Sequence, residues 1–180
     1  MIEIDAQALE FGLYHREILN SALREAADPL ADVGLTPSLV NVLNVVASFP
    51  GASGAFVAEM NATSQQAAAR TLSQLISRHL IERTTGESST YSHRVTAQGR
   101  EKLFAGLRVA AAQNRELLDA LSPEECAEYL RLSRKLCCVR TRKTADEIRR
   151  LTWVECQESG SIGRPDLIEL PPARNLPSSR

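Results

Sequence analysis

Aromatic residues are scarce in this chain, 4% of 180 residues with a single Trp, although 43% of the residues are hydrophobic. A core built from Leu, Val and Ala with so few rings favours a mainly helical protein of one ordinary core with helical extensions. No apolar run reaches the roughly 18 residues of a membrane span. Glu3 and Asp5 replace the basic start of a signal peptide, so a cytoplasmic protein with no membrane partner is expected. The three histidines, His15, His79 and His93, are scattered, and neither a Cys-x-x-Cys nor a His-x-x-x-His pair exists, which argues against a metal or other cofactor. Gly-rich phosphate loops, nucleophile elbows and arranged Ser, His and Asp residues are also missing, so the chain does not read as an enzyme.

Cysteine is confined to the last third, at Cys126, Cys137, Cys138 and Cys156. In a reducing compartment such residues stay as thiols, most often as small buried apolar groups. Cys126 and Cys137 share a face on an unbroken helix but lie about 16 Å apart, too far to bond within one chain. Cys138, beside Arg134, Lys135 and Arg142, is the candidate for a redox-active thiol.

The formal net charge of -1 hides a strong segregation. Residues 1–32 carry Glu3, Asp5, Glu10, Glu17, Glu25, Asp28 and Asp32 against Arg16 and Arg24. Residues 63–102 carry Arg70, Arg78, Arg83, Arg94, Arg100 and Lys102 against Glu82, Glu87 and Glu101, and residues 131–150 are more basic still. Charge sorted in this way suits a chain that offers one face to phosphates. It also predicts that the acidic 1–32 and basic 131–150 segments meet at a subunit interface.

Apolar residues near helical spacing predict a long amphipathic helix from Asp5 to Ala27, ended by Asp28-Pro29. Thr36 with Pro37 opens a second helix, stopped at Pro50-Gly51. Ser53 caps a short third helix. A capping box at Thr63-Ser-Gln-Gln66 opens a fourth, with Ala68, Leu72, Leu75 and Ile76 inward and Gln66, Arg70 and Gln74 outward, flanked by Ala67, Thr71 and Arg78. Two strands, Leu80 to Thr84 and Tyr91 to Thr96, flank the loop 86–90 and form a hairpin wing. Thr96-Ala-Gln-Gly99 opens the next helix and Ser122-Pro123 the last, which runs towards Cys156 with a possible break between Val139 and Thr144. Six Gly and Pro residues from Gly160 onward predict an irregular tail.

This order is a winged helix-turn-helix: mainly α with a small β-hairpin wing, between N- and C-terminal helices whose apolar faces pack on distant helices or on a second subunit. The expected divisions are 1–34 for the N-terminal helix, 35–103 for the winged DNA-binding domain, 104–157 for the C-terminal helices and 158–180 for a Pro-rich tail. Gln65, Gln66 and Arg70 are the candidates for base contacts, with Gln74 on the same helix, because Gln pairs with adenine and Arg with guanine in the major groove. Ser64 offers a hydroxyl and free backbone N–H groups to a phosphate. Arg83, Arg94 and His93 on the wing are candidate phosphate contacts. Phe11, Tyr14 and Phe104, with Trp153, are the candidates for a ligand pocket.

Leu35-Thr36-Pro37, Arg70 five residues before Leu75, His79-Leu80-Ile81-Glu82-Arg83 and Val95-Thr96-Ala-Gln-Gly99, in this order and spacing, resemble the MarR family of bacterial winged-helix transcription regulators. The resemblance covers about residues 35–103. It implies a homodimer whose N- and C-terminal dimerisation helices, 1–34 and 104–157, interlock, and which binds a pseudo-palindromic operator on double-stranded DNA, usually as a repressor. Release by a small-molecule effector or by thiol oxidation is also implied. Three departures stand out. Glu87 and Ser89 occupy the places of the family's Asp-x-Arg wing element, His79 stands where the family mostly has Gly, and the turn before Thr63 is one residue longer. The alternative function is a winged-helix protein-interaction module with weak or no specific DNA binding.

Overall fold

A computed structural model describes residues 5–85, 91–145 and 148. The wing loop 86–90, Cys156, Trp153 and the 158–180 tail, together with Arg149 and Arg150, lie outside them. The chain divides into two compact units, Met1–Ser122 and Pro123–Arg180. Among the described residues the architecture is six helices and a three-stranded antiparallel sheet.

In the first unit α1 (Ala6–Asp32) starts at Asp5, whose carboxylate accepts from the Ala8 N–H at 3.1 Å. It does not stop before Asp28-Pro29, as expected, but carries Pro29 within it. The proline ring removes one intrahelical bond, while the buried Ala26 and Leu30 hold the last turns down. Gly34 ends the helix at φ +73°. Its N–H bonds to the Ala31 carbonyl at 2.8 Å, the Leu35 N–H bonds to that of Leu30 at 2.7 Å, and Leu30 and Leu35 are both buried.

Thr36 caps α2 (Pro37–Ser48) with Pro37 in its first turn. Seven of its residues, from Leu39 to Ala47, are buried, so α2 is the centre of the core rather than a one-sided helix. Helices α3 (Gly54–Met60), α4 (Gln65–Ser77) and α5 (Ala97–Leu118) pack around it. The sheet order is β1 (Ala52–Ser53), β3 (Tyr91–Val95), β2 (Ile81–Thr85). The short β1 is not evident in the sequence; it pairs Ala52 with His93 and Ser53 with Ser92, and so fastens the wing to the start of α3.

Thr96 caps α5 and is the pivot between wing and helix. Its hydroxyl donates to the His79 carbonyl at 2.8 Å and accepts from the Gly99 N–H at 2.9 Å. The expected division at 103/104 falls inside α5, which runs unbroken to Leu118.

The second unit contains α6 (Pro123–Thr141), with Glu124 and Glu125 in its first turn. The break expected after Val139 falls at Arg142, which takes φ +56°. No residue of α6 is buried, and Tyr129, Leu132, Leu136 and Val139 are exposed. At 100° per residue these four fall on one stripe. A guanidinium from Arg131, doubly bonded to Glu128, holds that carboxyl below the usual carboxylate range.

Candidate nucleic-acid interface

Helix α4 begins one residue later than the capping-box reading placed it. Ser64, not Thr63, is the cap, and its hydroxyl oxygen accepts from the Ala67 N–H at 3.1 Å. Its O–H stays free to donate outward. Upstream, Ala62 takes φ +49° and the Thr63 N–H returns to the Ala58 carbonyl, which accommodates the longer turn.

Ala68, Leu72 and Leu75 form the buried stripe of α4, with Ile76 half-buried beside them. Gln66, Arg70 and Gln74 are exposed and lie within about 80° of one another on the opposite side, as the helical spacing requires. Gln65 is exposed too, but it is about 100° from Gln66 and in line with Leu72 and Ile76. It reaches outward only because it stands at the open N-terminal tip. Thus three of the four candidate helix residues form one polar face, and Gln65 lies outside it, in the phase of the buried stripe. Arg78 does not join that face: its guanidinium donates to the Gly34 carbonyl.

At the end of α4 the Leu80 N–H bonds to the Leu75 carbonyl at 2.9 Å, with His79 at φ +58°. The position where glycine is usual therefore carries a side chain in the left-handed region, a conformation that costs an L-residue roughly 1–2 kcal/mol.

The hairpin register places Ile81 opposite Val95, Glu82 opposite Arg94, Arg83 opposite His93, and Thr84 opposite Ser92. Residues in directly opposed pairs share a face, so Arg83 and Arg94 project from opposite faces of the wing. His93 is on the inner face and is 4% exposed; its Nδ1 donates to the Ala52 carbonyl at 2.9 Å. The expectation that His93 contacts phosphate is therefore wrong. Alternation along β3 puts it inward between Tyr91 and Val95.

Arg83 is also on this inner face, but beyond the core, and its guanidinium lies 4.0 Å from the centre of the Tyr91 ring. Tyr91 was missing from the candidate residues. Its signal in the sequence is its place diagonally across the hairpin from Arg83, which shows only once the register is known. Arg94 is exposed on the outer face, which also carries the Thr84–Ser92 hydroxyl bond of 2.7 Å.

The proposed pocket residues do not come together. Phe104 is buried in the core, while Phe11 and Tyr14 are exposed on α1, Phe11 against His15 and Tyr14 donating to Glu10 at 2.9 Å. A cleft of about 450 Å³ between α1 and α5 is lined by Ile18, Ala22, Glu25, Gln113 and Leu117, among others, and by none of the three. Cys126, Cys137 and Cys138 are half-buried rather than core residues. No group of His, Cys, Asp and Glu among the described residues is arranged to hold a metal ion.

No family model and no curated protein matches the chain significantly. Solved structures do. A MarR family protein of Mycobacterium tuberculosis in complex with p-aminosalicylic acid is 24% identical, with a TM-score of 0.61 over 69% of this chain and 96% of that one. A mutant of E. coli MarR complexed with operator DNA is 16% identical, with a TM-score of 0.65 over 75% and 99%. MepR, a regulator of a Staphylococcus aureus multidrug efflux pump, is 17% identical, with a TM-score of 0.59 over 72% and 98%. The chain has a MarR-type winged helix-turn-helix fold.

Proposed function

We infer that this protein is a sequence-specific DNA-binding transcription regulator that works as a homodimer. The observation that carries the reading is the exposed polar face of α4, with Gln66, Arg70 and Gln74 side by side above a fully buried stripe. Amides and a guanidinium on a helix held from behind are the groups that read base edges in a major groove. Ser64 and the free N–H groups at the start of α4 are placed to bind a phosphate, and Arg83 or Arg94 adds a wing contact. The operator complex of a protein with the same fold supports this use of the surface.

Two copies are proposed because α1 and α6 each expose more apolar surface than a monomer tolerates. On α1, Leu9, Leu13, Leu19 and Leu23 lie on one face and Phe11, Tyr14 and Ile18 on the opposite one. A helix that is apolar on two sides needs partners on both. A dimer with two winged domains fits a pseudo-palindromic operator, at which repression follows from occupying the site. The salicylate-type ligand of one neighbour supports a small-molecule effector, and Cys138 is the candidate thiol for redox release.

The reading is tested by selecting duplexes from a random-sequence pool with the full-length protein, then measuring affinity for the enriched duplex against salt. Enrichment of a two-fold-related sequence, with affinity falling steeply as salt rises, is expected. An unenriched pool would point to a protein-binding winged module instead.

A further inference from the structure

Three helix ends meet at one point on the side of the first unit. Helix α1 is followed by its cap Val33 and by the left-handed Gly34, whose carbonyls lie just past the negative end of its dipole. Lys102, in the second turn of α5, donates to the Val33 carbonyl at 2.8 Å, and Arg78, at the end of α4, donates to the Gly34 carbonyl. A Cβ built on Gly34 would lie 3.3 Å from the Arg78 guanidinium and 4.0 Å from the Lys102 ammonium, and its φ of +73° disfavours any side chain. Position 34 thus leaves just enough room for both cations.

Arg78 is not needed to finish its own helix. Backbone bonds from His79 to Ile76 and from Leu80 to Leu75 already close the end of α4. The guanidinium is instead directed 44 residues back in sequence, to a helix that does not belong to the helix-turn-helix. We propose that Arg78 is a positioning residue for DNA recognition, fixing the angle of α4 against α1 through the Gly34 carbonyl, with Lys102 holding the adjacent carbonyl from α5. It is not one of the cations that meet phosphate.

This proposal rests on the DNA-binding reading and sharpens it. Base contacts by Gln66, Arg70 and Gln74 are directional and lose strength with small displacements, whereas phosphate attraction tolerates them. Loosening the junction should therefore weaken specific binding and leave non-specific binding alone.

The test uses the duplex enriched from the random pool and a scrambled duplex of equal length, each titrated over a range of salt. R78Q is expected to lose affinity for the enriched duplex by a factor of up to about ten, the worth of one charge-assisted hydrogen bond setting the upper limit for this exposed pair. Its affinity for the scrambled duplex and its salt slope should match wild type, and R78K, which keeps a donor, should recover most of the loss. A salt slope lower by about one, with both duplexes weakened alike, would make Arg78 a phosphate contact and overturn the proposal. Unchanged affinity for both duplexes would also overturn it. If R78Q loses its cooperative melt, K102Q opens the other half of the junction and carries the same expectations. A wild-type protein that enriches no duplex removes the DNA-binding reading, and this inference with it, whereas enrichment by wild type with an indifferent R78Q removes the inference alone.

Discussion

Among the described glycines, Gly99 has the least freedom to change. A Cβ there would lie 1.8 Å from the Leu80 carbonyl oxygen, which is backbone at the entry to β2 and cannot rotate away. The same carbonyl accepts from the Thr96 N–H at 3.1 Å, so moving it breaks the link between the wing and α5. G99A is expected to destabilise by about 3 kcal/mol or more, the upper range for overpacking, read as a lower urea midpoint with an unchanged slope. Arg70 is the opposite case: exposed, with little to lose in stability. R70A should keep the wild-type melt and cost about 1–3 kcal/mol in binding to the enriched duplex, with discrimination relaxed at one base pair. Fluorescence anisotropy on single-base variants of that duplex checks this; unchanged discrimination would put Arg70 outside the base contacts. The place of Gly99 in Val95-Thr96-Ala-Gln-Gly99 and the exposure of Arg70 from its helical phase are both legible in the sequence. His93 has the chemistry of a phosphate contact, but its strand parity turns it inward, and the bond from Arg78 to a residue 44 positions away leaves no local trace in the sequence.

At the level of elements, the wing is where sequence and structure differ most usefully. Its two strands were evident from β-branched residues around a polar turn, but its register was not, and register decides which arginine faces where. Arg83 is held over Tyr91 on one face, and Arg94 sits opposite Glu82 on the other. The two cannot both meet the same stretch of DNA backbone. Arg83, ordered by the ring and without a carboxylate directly across the ladder, is the expected contact. R83Q should reduce the salt slope by about one, while R94Q leaves it near wild type. Y91L should follow R83Q part of the way and Y91F should not, because the ring rather than the hydroxyl holds the guanidinium. A larger loss of slope for R94Q than for R83Q would reverse the assignment. Helix ends show the same limit of local reading: Thr36, Ser53 and Thr96 were identified as caps from composition, whereas α1 runs past Pro29 because buried Ala26 and Leu30 outweigh one lost backbone bond.

For the whole molecule, what the core leaves uncovered governs how the chain assembles. Leu, Val and Ala around α2 fill the centre of the first unit, and that much follows from a chain with 43% hydrophobic and 4% aromatic residues. The terminal helices are amphipathic in sequence, and their apolar sides are the surfaces the proposed second copy would cover. On α6, the stripe Tyr129, Leu132, Leu136 and Val139 is exposed with nothing buried beside it. Leu132 and Leu136 are 42% and 48% exposed, so covering what remains of each contributes about 1 kcal/mol, roughly half the value for full burial, and two copies would double the number of such residues. Replacing both with Glu removes that gain and places carboxylates where they would have to be buried without partners. The L132E/L136E double variant is expected to keep a wild-type helical spectrum and to sediment near the 19.7 kDa of one chain, where wild type sediments near twice that mass. It should also lose most of its affinity for a two-fold-related duplex while retaining that for a half-site, since each winged domain is intact but no longer tethered to a second. A double variant that still sediments as wild type would place the dimer contact elsewhere, on α1 alone.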